Sequence, residues 1–410
     1  MPVALLFVVL LDVLSWATVL PVLPSWAQAR GAGPEGVALL FGAYAGVQLV
    51  ASPLLGRLAD RLGARRVLLF CLAGSCASFV WLALAQGYPS ILASRLLDGA
   101  TAGNLSIAAA IAARLTDGPA RARVFGHLGI AAGTGLVLGP VLCIALLRYG
   151  AAAPLWGAAG VSAASLLLAL ALPEVLPAPQ ATDEPRAPGA PQEPALLLSL
   201  PAPALRSALL LALFFTAHHL FSSGWSLFGS SWYQRGLVPF GAQEVAESFA
   251  LAGVVVVATQ LWLYPRALTR IGERATVALG FAAAALGFAA LPLATPGASL
   301  SWAIAVTALG TALSRPALTA WLSRATPASR QGEVMGLLQS LQSAAQLAGA
   351  LLTGALLGQG LHRGWAWGVA SLHAAGLLLV LWWRDRAVGA QGAAAARGGA
   401  EDGAEAGEPG

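Results

Sequence analysis

Eleven consecutive residues, Gly56-Arg57-Leu58-Ala59-Asp60-Arg61-Leu62-Gly63-Ala64-Arg65-Arg66, carry five charges, and the stretches on either side, 39–55 and 67–85, carry none. Each flank approaches or reaches the roughly 20 apolar residues that a membrane-crossing helix needs. The charged segment cannot enter lipid, where every polar group must find its partner inside the protein. The pattern therefore predicts two membrane helices joined by a short, rigid, charged hinge at the membrane surface. Gly56 and Gly63 allow close backbone approach or a positive φ. Asp60 can interact with the neighbouring arginines or with the positive N-terminal end of a nearby helix.

The rest of the chain repeats this alternation. With 410 residues, 58% hydrophobic, 10% charged and a mean hydropathy of +0.74, the polar surface is too small for a soluble globule of this size. Twelve spans are expected, near 3–23, 37–55, 67–85, 90–113, 124–147 and 154–172, then 205–230, 245–264, 275–293, 300–322, 334–357 and 364–383. This predicts an all-α membrane protein in two six-helix bundles, over 1–173 and 204–384. The Pro-rich segment 174–203, with Asp183, Glu184 and Glu193, is expected to be a cytoplasmic linker, and 385–410 a disordered cytoplasmic tail. Ala27-Gln28-Ala29 mimics a signal-cleavage site, but Asp12 interrupts the apolar run before it and many spans follow.

Charge sets the orientation. The positive balance comes from 23 arginines and no lysine, dispersed over short loops without interleaved aromatics, so no nucleic-acid partner is expected. With both termini cytoplasmic, 17 arginines fall on the cytoplasmic side, and only Arg30, Arg148, Arg235 and Arg363 on the other. The positive-inside rule then places both termini in the cytoplasm, across a plasma membrane, the bacterial inner membrane by expectation. Cys71, Cys76 and Cys143 all lie in apolar segments as packing residues, and no metal site is expected. No His-Glu-x-x-His helix, phosphate loop or nucleophile elbow is present, so no catalytic residue is expected.

The hinge recurs about 209 positions later. In Pro265-Arg266-Ala267-Leu268-Thr269-Arg270-Ile271-Gly272-Glu273-Arg274, the residues Arg266, Arg270, Gly272 and Arg274 stand in register with Arg57, Arg61, Gly63 and Arg65. Two related bundles with a substrate site between them near the midplane are a transporter architecture.

Ionisable residues inside the spans are expensive and are the first site candidates. Asp12 lies in mid-helix 1, where loss of water penalises its charge and suits it to carrying a proton. Arg95 and Asp98, three apart in helix 4, share one helical face and can neutralise each other. Arg315, before Pro316 in helix 10, has no acidic partner in its own span. It needs one across the bundle, a water-filled cavity or an anionic substrate. His218 and His219 point in different directions, so at most one lines a cavity, and His373 is expected to be structural. Gln48 and Gln260 are polar groups in apolar spans. In helix 5, Gly129, Gly133 and Gly135 are expected to form a small-residue face, and Gly139-Pro140 a bend.

The hinge resembles the signature between helices 2 and 3 of the major facilitator superfamily, matched at Gly56, Leu58, Ala59, Asp60, Arg61, Gly63, Arg65 and Arg66. There it locks the transporter halves in one conformational state. Asp12 with Pro21-Val22-Leu23-Pro24, Leu115-Thr116-Asp117-Gly118, Pro316-Ala317-Leu318 and Arg330-Gln331-Gly332 narrow the resemblance to the tetracycline/proton antiporters and related drug:proton antiporters. The resemblance implies a proton-coupled exporter of a small amphipathic molecule working by alternating access. It implies no cofactor beyond the proton gradient, with protons, substrate and lipid as partners and a monomeric carrier. Arg95 takes the place of the family's helix-4 arginine in proton coupling, and Gln260 that of a substrate-contacting glutamine. The helix-5 antiporter motif ordinarily closes with two glycines where this chain has Cys143 and Ile144. Ser78 and Ala284 stand where the tetracycline exporters have further acids, and Val256 near their helix-8 histidine. A facilitator or uptake carrier for a small, possibly anionic, metabolite on the same fold is the alternative.

Overall fold

A computed structural model describes residues 3–115, 118–172, 202–235, 238–325 and 331–383. Most of the expected linker 174–203 and all of the expected tail 385–410 lie outside the described residues. The first half contains α1 (Val3–Val19), α2 (Leu23–Gln28), α3 (Pro34–Leu62), α4 (Ala64–Leu84), α5 (Tyr88–Ala100), α6 (Asn104–Arg114), α7 (Gly118–Leu147) and α8 (Ala153–Leu170). The second contains α9 (Ala202–Trp232), α10 (Ala242–Ala258), a π-helical turn (Thr259–Leu263), α11 (Tyr264–Ala290), α12 (Ala298–Arg324), α13 (Gln331–Gly358) and α14 (His362–Trp382). After α9 a small antiparallel pair, β1 (Gln234–Arg235) and β2 (Val238–Pro239), joins Gln234 to Pro239 and Arg235 to Val238.

Counting α5 with α6 as one crossing, and dividing the long π-turn and α11 rod at Gly272, gives twelve crossings among the described residues. Gly272 breaks that rod because its φ of 78° leaves the helical region. Gly63 does the same between α3 and α4, with φ 94°. These are the two glycines that the repeat placed in register, so the hinge recurs as backbone geometry. A side chain at either position would be strained.

The expected hinge is shorter than eleven residues. α3 continues through Leu62, because Leu55 and Ala59, four apart, stay buried on one helical face while Arg57, Asp60 and Arg61 are exposed. Only Gly63 turns. Gly56 is inside α3 with open space around it, and no close approach depends on it. Helix 4 is also not continuous: Thr101–Gly103 separates α5 from α6. Gly99, just before the break, lies against the backbone of Tyr44, and a Cβ there would sit 2.5 Å from the Tyr44 carbonyl oxygen. A pair of glycines flanking the break makes helix continuation weak.

The bundles meet through α7 with α10 and through α3 with α13. Between these seams stand α1 and α5–α6 on one side and α12 and α9 on the other. Eight helices thus ring a central space. At the face opposite the basic loops one apolar core joins both halves, including Leu23, Trp26 and Phe41 from the first and Leu220, Trp225 and Trp365 from the second. At the basic face there are two cores instead, one around Leu5, Leu68 and Ile107, the other around Leu211, Phe281 and Leu322. The central space is therefore sealed at one face and divides the bundles at the other.

Each half closes its basic face in the same way. Arg65, at the start of α4, donates from NH2 to the Leu170 carbonyl at the end of α8, at 2.6 Å. Arg274 donates to the Val380 and Leu381 carbonyls near the end of α14. A cation at a helix C-terminus meets both the negative end of the dipole and its unpaired carbonyls. The donors are 209 positions apart and the first acceptors 210. In the second half Glu273 adds a clamp, accepting from the Trp321 indole at 2.8 Å and pairing with Arg324.

Candidate functional site

The ring helices bring polar groups toward the space between the bundles. On α1, Asp12 is half-buried, and its Oδ1 accepts a hydrogen bond from Asn104 Nδ2 at 2.7 Å. Asn104 opens α6 directly after the helix-4 break, and its Nδ2 also reaches Ser75 Oγ on α4 at 3.3 Å. The break aims this amide across to α1. On α5, Arg95 NH1 pairs with Asp98 Oδ2 at 3.0 Å, both side chains nearly inaccessible. Ser75 and Ser78 of α4 lie near the Asp98 carboxylate. Hydrogen bonds thus run from Asp12 through Asn104 to Ser75, which stands beside the Arg95–Asp98 pair. Buried ion pairs are stable only when their remaining donors and acceptors are largely satisfied. Arg95 Nε and NH2 stay without partners. With Trp16, Tyr44 and Gln346, Arg95 lines a small cavity where α1, α3 and α5 face α13.

The sequence reading brought Asp12, Arg95 and Asp98 forward but missed Asn104, Ser75, Ser78 and Tyr44. Serine and asparagine in an apolar span give no charge signal, and the break that aims Asn104 is not visible in the run of small residues around it. Ser78 stands where the resembling exporters carry an acid; here its hydroxyl donates to the Ser75 carbonyl at 2.9 Å, near Asp98. Ala284, at the other such position, packs against the backbone of Gly310 with no room for a carboxylate.

Gln48 on α3 is half-buried and donates to Tyr44 Oη and to the Ala102 carbonyl in the break, both at 3.4 Å. Gln260 lies in the π-helical turn and is exposed. Such turns are frequent at functional sites because the extra residue re-aims the side chains beside it. On α9, His219 is buried, its backbone against Gly349 of α13, while His218 is half-buried and stacks on Phe214. His373 is fully buried among Phe214, Phe281 and Phe288, with Nδ1 donating to the Val369 carbonyl at 3.0 Å. Arg315 on α12 is exposed, its guanidinium carbon 5.9 Å from the centre of the Phe215 ring.

The glycines of α7 do not form the single face expected. Gly135 and Gly139, four apart, pack on α1: a Cβ at Gly135 would lie 2.6 Å from the Leu10 carbonyl oxygen, and one at Gly139 would overlap Ala17 and Thr18. Gly129 and Gly133, also four apart, have nothing nearby. At about 100° per residue the two pairs fall roughly 120° apart around α7. Pro140 lies inside the continuous helix α7. Gly139→Leu should therefore lower stability by about 1–3 kcal/mol through overpacking, while Gly133→Leu leaves it nearly unchanged. Thermal-unfolding midpoints of the two purified variants in detergent check this; equal shifts would contradict it.

The profile of the Major Facilitator Superfamily matches residues 5–304 and again 240–404. The chain is 31% identical over 377 residues to the class G tetracycline resistance protein of Vibrio anguillarum, covering 90% of this chain and 93% of that one. Among solved structures, the human organic anion transporter MFSD10 (TETRAN) superposes with a TM-score of 0.69 at 24% identity, over 92% of this chain and 98% of its own. The nucleoside transporter NupG superposes with a TM-score of 0.71 at 17% identity, over 94% and 100%. A ring of helices around a central space, a hinge repeated in sequence and backbone, and these likenesses have one account: the chain is a multi-pass integral membrane protein that belongs to the major facilitator superfamily, a secondary transporter of small molecules and not an enzyme.

Proposed function

We propose that this carrier exports a small amphipathic molecule in exchange for protons, by alternating access, as a monomer in the plasma membrane with both termini cytoplasmic. The observation that carries the reading is Asp12, half-buried beside the central space and hydrogen-bonded through Asn104 to Ser75, which stands beside the Arg95–Asp98 pair. A carboxylate placed there can take a proton when the space is open to one side and release it when open to the other. The distribution of arginine makes the basic face cytoplasmic, so the conformation with a shared core at the opposite face is inward-facing. Asp60, Arg61, Arg65 and Arg66, with the turn at Gly63, form the hinge about which the halves move; Gly56 rides on α3. The packing of Gly135 and Gly139 on α1 couples α7 to the helix that bears Asp12. The likeness to proteins named for tetracycline resistance supports export of a drug-like molecule. No cofactor takes part, the proton gradient being the driving force.

A second reading has its own observation. Cys143 and Ile144 replace the glycines that close the family's helix-5 antiporter motif, which favours a facilitator or uptake carrier. A resistance and accumulation screen in a pump-deficient host, across drugs and metabolites, identifies the cargo. Proteoliposome uptake of that cargo, with and without an imposed proton gradient, then separates the readings. The exporter should accumulate cargo only with the gradient. Gradient-independent counterflow without proton movement would select the facilitator.

A further inference from the structure

Arg315 is the cation in this protein that most needs explaining. It sits well inside α12, on the ring of helices around the central space, and is exposed although Ser314 and Ala317 beside it are buried. Among the described residues it makes no ion pair. A guanidinium has five N–H donors and no means of neutralising itself, so a fixed and unpaired one at membrane depth is costly. Phe215 covers one side of it with a ring but supplies no counter-charge.

The neighbouring groups are of matching character. His218 and His219 of α9 lie within electrostatic reach of Arg315. His218 is half-buried and stacked on Phe214, ring centres 6.1 Å apart and planes 4° apart, and makes no hydrogen bond to a described residue. The intramembrane carboxylates Asp12 and Asp98 are held by the other bundle, each with its own partner there. At this place the second bundle thus presents a cation, an imidazole and an aromatic wall, with no acid paired to them among the described residues.

We propose that Arg315 and His218 form an anion subsite of the cargo cavity, which takes the acid group of an amphipathic organic anion while its apolar part lies along the aromatic residues of α9. This rests on the carrier reading and adds the charge class of the cargo. A carboxylate in this position accepts two parallel N–H bonds from the guanidinium, the arrangement for which arginine is pre-organised. His218 can donate a further bond.

The test is binding in detergent, which needs no gradient. Purified wild-type protein is titrated with 1-naphthoate and, separately, with its neutral amide, following intrinsic tryptophan fluorescence. The carboxylate should bind more tightly than the amide. Arg315→Gln should weaken the carboxylate about tenfold to a hundredfold, the loss of a charge-assisted hydrogen bond, and leave the amide unchanged. Arg315→Lys, which keeps the charge but not the fork, should fall between. Equal binding of acid and amide by the wild type, or no binding of the acid, overturns the proposal without any variant. So does undiminished carboxylate binding by Arg315→Gln. Should Arg315→Gln fail to fold, the wild-type pair and Arg315→Lys still decide. Because no gradient is involved, failure here leaves proton-driven transport standing, and failure of proton coupling leaves the binding result standing.

Discussion

Asp12→Asn should abolish gradient-driven accumulation while leaving the protein folded and still able to exchange cargo across the membrane. The amide has nearly the same shape as the carboxylic acid, and its oxygen can still accept the hydrogen bond that Asn104 Nδ2 now gives to Asp12 at 2.7 Å. What it cannot do is take up and release a proton. Each net charge moved through 100 mV contributes about 2.3 kcal/mol, or roughly fortyfold accumulation. The variant should lose this and equilibrate its cargo, with counterflow close to that of the wild type. Proteoliposome uptake under an imposed gradient measures the first and exchange without a gradient the second. Full accumulation by Asp12→Asn would remove Asp12 from the coupling step.

Asp98→Asn should behave differently, and the contrast comes from packing. Asp98 is the counter-charge of a nearly inaccessible Arg95 that already has two nitrogens without partners. Removing one member of a buried pair leaves an uncompensated charge and costs about 3–5 kcal/mol. Loss of yield and of thermal stability should therefore accompany any loss of transport. The two carboxylates thus take different parts, Asp12 without a counter-charge and able to exchange a proton, Asp98 paired with Arg95 and held as structure.

The residues themselves explain what could be read from the chain. Lipid forbids charge and unpaired backbone, so twelve spans, a repeated hinge and four intramembrane charges stand out against 58% hydrophobic sequence. Gly63 and Gly272 were found because the repeat keeps them in register and only glycine suits their positive φ. The network partners were not found, since Asn104, Ser75 and Ser78 have no special cost at the sequence level. Their meaning comes from the break at Thr101–Gly103, which aims Asn104 at α1 and α4. The two faces of α7 were misjudged for a simpler reason: spacing alone gives the angle between glycines, but not which pair has a neighbour. The π-helical turn that holds Gln260 has no sequence marker at all.

Cross-linking the seam between α3 and α13 should stop transport outright. Gly42 of α3 faces Ala350 of α13, and a Cβ built on the glycine lies 3.5 Å from that of the alanine. Disulfides need Cβ separations of about 3.5–4.5 Å, so Gly42→Cys with Ala350→Cys can be joined without moving the backbone. Both positions belong to the apolar core that seals the face opposite the basic loops, and an outward-facing state has to open that seam. A Cβ at Gly42 meets only ordinary van der Waals contacts, 3.5 Å from Ala350 and 3.6 Å from Leu347, so the single cysteines should be tolerated and active. Cys71, Cys76 and Cys143 are replaced beforehand to keep the reading clean. Oxidation should then reduce transport by the double variant to background, with reductant restoring it, while either single cysteine is insensitive to both treatments. Binding measured from the basic side should survive the cross-link, because the cleft there stays open. Undiminished transport by fully cross-linked protein would mean that the seam does not part during the cycle, and alternating access through this central space would fail with it.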